Sequence, residues 1–343
     1  MNKRQKEILM LLLANEKELA KDLKKIYSLA LADVQKRIKV LQSSKQTQSK
    51  IYRLKYQRAL EKQLKSIINT LSSGNTKLIN EYLVKAYENG YLGSMYVVQG
   101  EGIPFLFSID QKRVMAAINK PIDEMTFAKR IDTNMDKFKE KIKAEISRGI
   151  ASNATYPAIA KRIERRINES FNNSFRIART EMGRVASEAQ FDNLIKAKEN
   201  GCEIYKEWSA TLDFKTRPAH QSLDGQKKEI DEPFTFQGHK AMYPRGFGVA
   251  SLDVNCRCAL LEMPKWAKTK GSKERIDNIT GKTIKANTYK EWVEKYHSKN
   301  ADKYIKYTEQ LQKKYKSNFK DTLEKMTDKE YKQLLDLCNK LKR

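Results

Sequence analysis

The chain is short of cysteine and of long apolar runs, each shortage removing a class of protein, and its acidic residues are outnumbered by basic ones. Four cysteines in 343 residues, two of them one residue apart at Cys256 and Cys258, do not make the disulfide framework of a small secreted scaffold, and a reducing compartment is the expected setting. No stretch approaches the roughly 18–20 apolar residues of a membrane span. The apolar run Ile8–Ala14 behind a basic start has the look of a leader. It is short, however, no small-residue cleavage site follows, and its spacing continues into Leu19, Leu23 and Ile26. It therefore reads as helix, in a protein soluble in the cytoplasm or built into a large assembly formed there. Glycine-rich phosphate loops of the Walker or dinucleotide type are missing, and no tandem repeat of fixed period runs through the sequence.

Against 68 Lys and Arg stand 42 Asp and Glu, a formal net charge of +26, which favours polyanions such as DNA, RNA or an acidic protein surface. The excess lies in the flanks: about +12 over residues 1–145, about +3 over 146–264 and about +11 over 265–343. Lysine outnumbers arginine in those flanks, which points to diffuse, salt-sensitive phosphate attraction and away from base readout by two-pronged arginine contacts. With 40% apolar residues the chain has material for a core, and its length leaves room for about two domains.

Helical spacing dominates. Leu9, Leu12, Leu19, Leu23, Ile26, Ala30, Val34, Ile38 and Leu41 predict one long amphipathic helix over 3–41, with a break at Ser43-Ser44. A second helix is expected over 51–71, ending at Ser72-Ser73-Gly74-Asn75. A third runs from Thr76 to Glu88, stopped by Gly90 and Gly93. Residues 95–110, with Met95-Tyr96-Val97-Val98 and Phe105-Leu106-Phe107 around a Gly/Pro turn, suggest a small hairpin. Helices follow over 111–118, 123–148, from Thr155-Pro157 through Ile167, and 171–200 with Gly201 as its stop. Past Gly201 the period changes, and strands are expected around Cys202–Trp208, Phe234–Phe236 and Ala259–Leu261. From Lys265 onward a lysine-rich helical tail carries Trp292, Tyr296, Tyr304, Tyr307, Leu311, Tyr315 and Phe319 as an interrupted apolar stripe. Core or coiled-coil packing suits those tyrosines better than stacking on bases. The expected fold is thus α+β, mostly α: a helical N-terminal region over 1–145, a small α+β domain over 146–264 and a basic helical tail over 265–343.

The unusual residues crowd between Trp208 and Cys258, which hold two of the three histidines, two of the four cysteines and three of the seven prolines. His220, Cys256 and Cys258 form the most suggestive ligand set, since two thiolates and an imidazole suit zinc, with a fourth ligand borrowed from His239 or Asp213. The same residues also read as two small buried side chains and a hydrogen-bonding loop histidine. A hydrolase would use His220 as base, Asp213 or Asp224 as its orienter and Cys256 as nucleophile, although no protease-type signature surrounds the cysteine. Asp224-Gly225 reads as a tight turn. Arg179 and Glu181, two apart on a helix, do not face each other; they read equally as two solvated charges or as partners of residues outside the helix, Glu181 with Arg217 and Arg179 with Asp213.

The order of these residues carries more than any one of them. Arg179-Thr180-Glu181 on a helix, then Trp208, Asp213, Thr216-Arg217-Pro218, His220, Leu223-Asp224-Gly225, Tyr243-Pro244 and finally Asn255-Cys256-Arg257-Cys258 resembles the phage Mu F-like head morphogenesis domain of minor capsid, or minor head, proteins. The resemblance covers about residues 146–264. It implies a virion protein present in few copies, at the capsid interior or portal vertex and in the host cytoplasm during assembly. Its implied role is in procapsid assembly and in DNA packaging or delivery. The implied partners are the portal protein, the major capsid or scaffolding protein and, through the basic flanks, packaged DNA; no membrane, cofactor or catalysis is implied. Some relatives place Cys-x2-Cys where this chain has Arg217-Pro218-Ala219-His220, so at most one of those positions offers a ligand here. Others carry a fused toxin or enzyme domain, whereas the residues after Pro264 read as basic helix without a catalytic signature. The competing readings are a cysteine- or zinc-dependent hydrolase or nuclease built on His220, Cys256 and Cys258, and a free DNA-binding protein.

Overall fold

A computed structural model describes residues 1–43, 50–100, 102, 108–152, 156–265, 273–316, 322 and 325–340. The fold is α+β and mostly α. Five helices come first: α1 (Lys3–Ser43), α2 (Lys50–Gly100), α3 (Gln111–Asn119), α4 (Phe127–Ala151) and α5 (Tyr156–Glu199). Then follow β1 (Ile204–Ser209), α6 (Pro218–Leu223), β2 (Lys227–Glu229), β3 (Phe234–Phe236), β4 (His239–Ala241), α7 (Ala250–Asp253) and β5 (Ala259–Pro264). The tail holds β6 (Glu274–Ile276), β7 (Thr283–Lys285), α8 (Tyr289–Tyr296), α9 (Ser298–Tyr315) and α10 (Asp328–Lys340). Among the described residues no helix is long and apolar enough to cross a membrane.

The chain divides into two compact units. One, formed by Leu13–Lys85 and Ile118–Met182, is helical and buries Leu19, Leu23, Leu64, Ile79, Ile131, Phe138, Ile142 and Ile163. Its core also holds a polar knot. The Tyr27 hydroxyl lies 2.8 Å from Ser174 Oγ and accepts from Asn75 Nδ2 at 2.8 Å, while Asn134 Nδ2 donates to Ser174 Oγ at 2.8 Å. Buried polar groups persist only with such partners, because each lost hydrogen bond leaves a desolvated group unmatched.

The other unit comprises Met1–Leu12, Ala86–Ala117 and Gly183–Arg343. Its three-stranded sheet has the order β2-β1-β5 with both pairings antiparallel, and Trp208 stands opposite Leu260. Two two-stranded ribbons, β3-β4 and β6-β7, accompany it. The central strand β1 is buried along nearly its whole length, as a strand covered on both faces must be.

Several boundaries differ from those the sequence suggests. No helix ends at Ser72–Asn75, Gly90 or Gly93, because α2 runs through all of them. Asn75 is wholly buried in the polar knot. Gly90 marks a close approach of α2 to α5: a Cβ there would lie 2.9 Å from Cα of Ala186 on α5, and closer still to that residue's carbonyl oxygen. Met95–Val98 belong to α2, not to a hairpin, and Phe105–Phe107 lie outside the described residues, as do Ser44 and Thr155. The two helices expected between Pro157 and Asn200 are one, α5. Gly201 does terminate it, with φ of +83° and its N–H donating to the Lys198 carbonyl at 2.9 Å. The tail is helical as expected but opens with the unforeseen β6-β7 ribbon. Trp292 and Leu311 of its stripe are buried and Tyr296 is exposed; the side chains of Tyr304 and Phe319 lie outside the described set.

Candidate functional site: a buried cysteine and histidine cluster

The site is built on the end of β1 and the two segments that return to it. Trp208, with no exposed surface, sits edge-on to Phe234 (5.2 Å between ring centroids) and His220 (5.8 Å). It is the hub of a core that also holds Phe234, Tyr243, Cys256, Cys258 and Leu260. Just beyond β1, Asp213 closes an Asx turn by accepting from the Lys215 N–H at 2.9 Å. Both its oxygens take the Arg257 guanidinium, with Nη2 at 2.8 Å from Oδ1 and Nη1 on Oδ2. Burial opposes ionisation of Asp213, but Arg257 outweighs it and holds the carboxyl below its usual range.

Arg217 and Pro218 start α6, with proline at the first helical position where its missing N–H is harmless. Arg217 donates to the carbonyls of Ser251 (2.5 Å) and Leu252 (2.7 Å), tying α6 to α7. Asp224, at the other end of α6, accepts from the Ala210 N–H at 2.6 Å and from Arg275 of the tail ribbon at 2.7 Å. Gly225 follows with φ of +78° and donates to the Trp208 carbonyl at 2.8 Å; only glycine enters that conformation without strain.

His220 is carried inward by α6, and Cys256 and Cys258 approach it from the strand side. Their exposures are 2%, 5% and 3%. The Nδ1 of His220 lies 3.3 Å from Cys258 Sγ, and the three ligand atoms all fall within 4.8 Å of one another. Asn255 adopts φ of +58° just before Cys256, a left-handed turn that asparagine tolerates. Burial works against ionisation of Cys256, yet the hydrogen bond from Cys258 and the His220 ring bring its thiol well below the usual range; burial and the Cys256 neighbour push Cys258 well above it.

The structure separates the motif residues into two groups. Trp208, Asp213, Arg217, His220, Asp224, Gly225, Pro244, Asn255, Cys256 and Cys258 share one unit, while Arg179 and Glu181 belong to the other. There Glu181, wholly buried, pairs with Arg130, and Arg179 pairs with Glu16 at 3.5 Å. Within its unit Glu181 thus has a partner other than Arg217, and Arg179 one other than Asp213. The expected fourth ligands also fall away: His239 is exposed on β4, and Asp213 is taken by Arg257. Among the described residues only His220, Cys256 and Cys258 make up the cluster.

Three contributors carry no clear sequence signature. Arg245, with φ of +69°, donates to the carbonyls of Cys256 (2.8 Å), Cys258 (3.1 Å) and Gly183 (3.2 Å). A Cβ at Gly183 would sit 2.5 Å from that guanidinium and would displace it. Asp253 accepts from the N–H groups of Phe247 and Gly248, and burial pushes its carboxyl up to about 6. Lys206, fully buried, donates to the Ile230 carbonyl at 2.9 Å, and burial brings its ammonium down to about 8. The only signal for Arg245 is its place in a Pro-Arg-Gly turn.

Residues 140–261 match the family described as phage Mu protein F like protein. The chain is 34% identical over 296 residues to NAD(+)–arginine ADP-ribosyltransferase EFV of Enterococcus faecalis, a match spanning 85% of this chain and 60% of that protein. It is 28% identical over 245 residues to minor head protein GP7 of Bacillus phage SPP1, across 70% of this chain and 79% of that one. No solved structure matches it. The ordered motif from Arg179 to Cys258, the α+β module that it builds and these matches agree: residues 140–261 carry a phage Mu protein F like region, in a chain similar to a minor head protein.

Proposed function

We propose that this protein is a non-catalytic component of the virion that acts in procapsid assembly and in DNA packaging or delivery, bound to the portal or to the capsid interior. Assembly would take place in the host cytoplasm. The observation that carries the reading is how the motif residues are used. Asp213, Arg217, Asp224 and Arg257 are spent on clamping loops to one another, and His220, Cys256 and Cys258 are sealed from solvent. A hydrolase needs an orienting carboxylate on its histidine and a route for substrate to its nucleophile. Asp213 and Asp224 instead accept from Arg257 and Arg275. In this division of labour, residues 1–145 and the basic tail over 265–343 supply contact surfaces, and the loops clamped around β1 supply the frame. The partners are portal, major capsid or scaffolding protein, and packaged DNA through the basic flanks. A cavity of about 290 Å³ between α4 and α5, lined by Arg148, Arg162, Arg165, Arg166 and Glu145, adds arginine to that polyanion-facing surface.

A second reading comes from the Enterococcus faecalis relative, whose name is that of an NAD-dependent arginine ADP-ribosyltransferase. The chain spans 60% of that protein's length, so the named activity has room to reside in the remainder. The test is retention of the purified protein on portal and procapsid, with nuclease present and at low and high salt, alongside transfer of labelled ADP-ribose from NAD to an arginine acceptor. Nuclease-resistant retention without transfer is expected. Capture only through nucleic acid would overturn the assembly reading, and transfer would overturn the non-catalytic one.

A further inference from the structure

We propose that His220, Cys256 and Cys258 bind one thiophilic divalent cation, zinc, as a structural clip between α6 and the start of β5. Cys256 and Cys258 are two residues apart in the segment that leads into β5. Both present their sulfur atoms to His220. The left-handed turn at Asn255 and the hydrogen bonds from Arg245 to the carbonyls of both cysteines hold that segment in place. The thiols are therefore presented by a fixed backbone and not by a loose loop.

The distances suit the ion. Zinc bonds of about 2.3 Å to sulfur and about 2.0–2.1 Å to nitrogen, at tetrahedral angles, put ligand atoms roughly 3.5–3.8 Å apart. Here Cys258 Sγ and His220 Nδ1 are 3.3 Å apart, and all three ligand atoms lie within 4.8 Å. The difference from that ideal is about an ångström. Charge suits it as well, since two thiolates and a neutral imidazole leave a divalent cation with no net charge, the state that a dry site tolerates best. Nδ1 is the coordinating nitrogen in this arrangement, and Nε2, which is buried without a hydrogen-bond partner, keeps the proton. Among the described residues these three ligands are within reach of one another, which leaves one tetrahedral position to a further donor. The near-complete burial of all three residues argues for a structural role for the ion.

The experiment uses the full chain, purified without chelator and dialysed into metal-free buffer. Elemental analysis should return one zinc per chain. Exchange with cobalt should produce thiolate charge-transfer absorption and the visible bands of tetrahedral cobalt, both lost in Cys258→Ser. Because that variant could simply fail to fold, the decision rests on the unaltered protein together with His239→Ala, a change on the exposed ribbon. No stoichiometric zinc and no cobalt bands in the unaltered chain would overturn the site. So would loss of the bands in His239→Ala, or their persistence when Cys256 and Cys258 are both serine.

Discussion

Gly90→Ala and Gly74→Ala should move stability in opposite directions, although both glycines look like helix ends in the sequence and both lie inside α2. Alanine is better than glycine in a helix interior by about 1 kcal/mol, and this is the gain available at each position. At Gly74 the new methyl would meet only Ile26 side-chain atoms, at 3.8 and 4.0 Å. That is ordinary contact, so the gain survives and stability rises by roughly 0.5–1 kcal/mol. At Gly90 the methyl would stand 2.9 Å from Ala186 Cα and closer still to Ala186 O, about an ångström inside normal separation. Neither atom belongs to a flexible side chain, so α2 and α5 must part. Overpacking costs on the order of 1–3 kcal/mol, and backbone against backbone belongs at the upper end, leaving a net loss of about 2 kcal/mol. Denaturant titrations of both variants, followed by helical circular dichroism, measure the two shifts. An unchanged or raised midpoint for Gly90→Ala would refute the close-approach account, because propensity alone would then govern both sites.

Asp213→Asn should lower stability by about 2 kcal/mol, since it keeps the volume but strips Arg257 of a partly buried carboxylate partner; an unaltered urea midpoint would show that the pair is dispensable. Glu262, which burial pushes up to about 7 from 4.5, stabilises the fold while protonated. That contribution is complete below about pH 4.5 and is lost as the pH rises through 7. Glu262→Gln should therefore match the parent near pH 5 and exceed it by up to about 3 kcal/mol at pH 8, and a constant difference across that range would contradict the buried-carboxyl assignment.

How much of the structure is legible in the sequence depends on the range of the physics involved. Apolar periodicity is local, and it locates α1, α4, the strands at Ile204–Ser209, Phe234–Phe236 and Ala259–Pro264, and the stop at Gly201. Breaks are misread wherever a polar or small residue serves a distant neighbour. Asn75 looks like a helix terminator but answers Tyr27, and Gly90 looks like a stop but answers Ala186. The β6-β7 ribbon is invisible because its strands are three residues each and mostly exposed, too short for an alternation to stand out. In the site, the ligand types His220, Cys256 and Cys258 are legible, and their convergence is a fair expectation. The carboxylates' partners are not, since Asp213 and Arg257 lie 44 residues apart and Asp224 and Arg275 lie 51 apart, distances over which no spacing rule operates.

The tail ribbon also bears on inheritance. The change in composition after Pro264 looks like a seam between separable parts. Yet Lys273 pairs with Glu207 on the central strand, Arg275 with Asp224 at the end of α6, and Tyr289 donates to the Asp213 carbonyl at 3.0 Å. A crossover at that seam would leave two buried carboxylates without their cations. The segment from Lys273 to Val293, whose Trp292 and Val293 pack with Leu212 and Phe214, therefore has to be transmitted together with the module, and foreign sequence is best tolerated downstream of it.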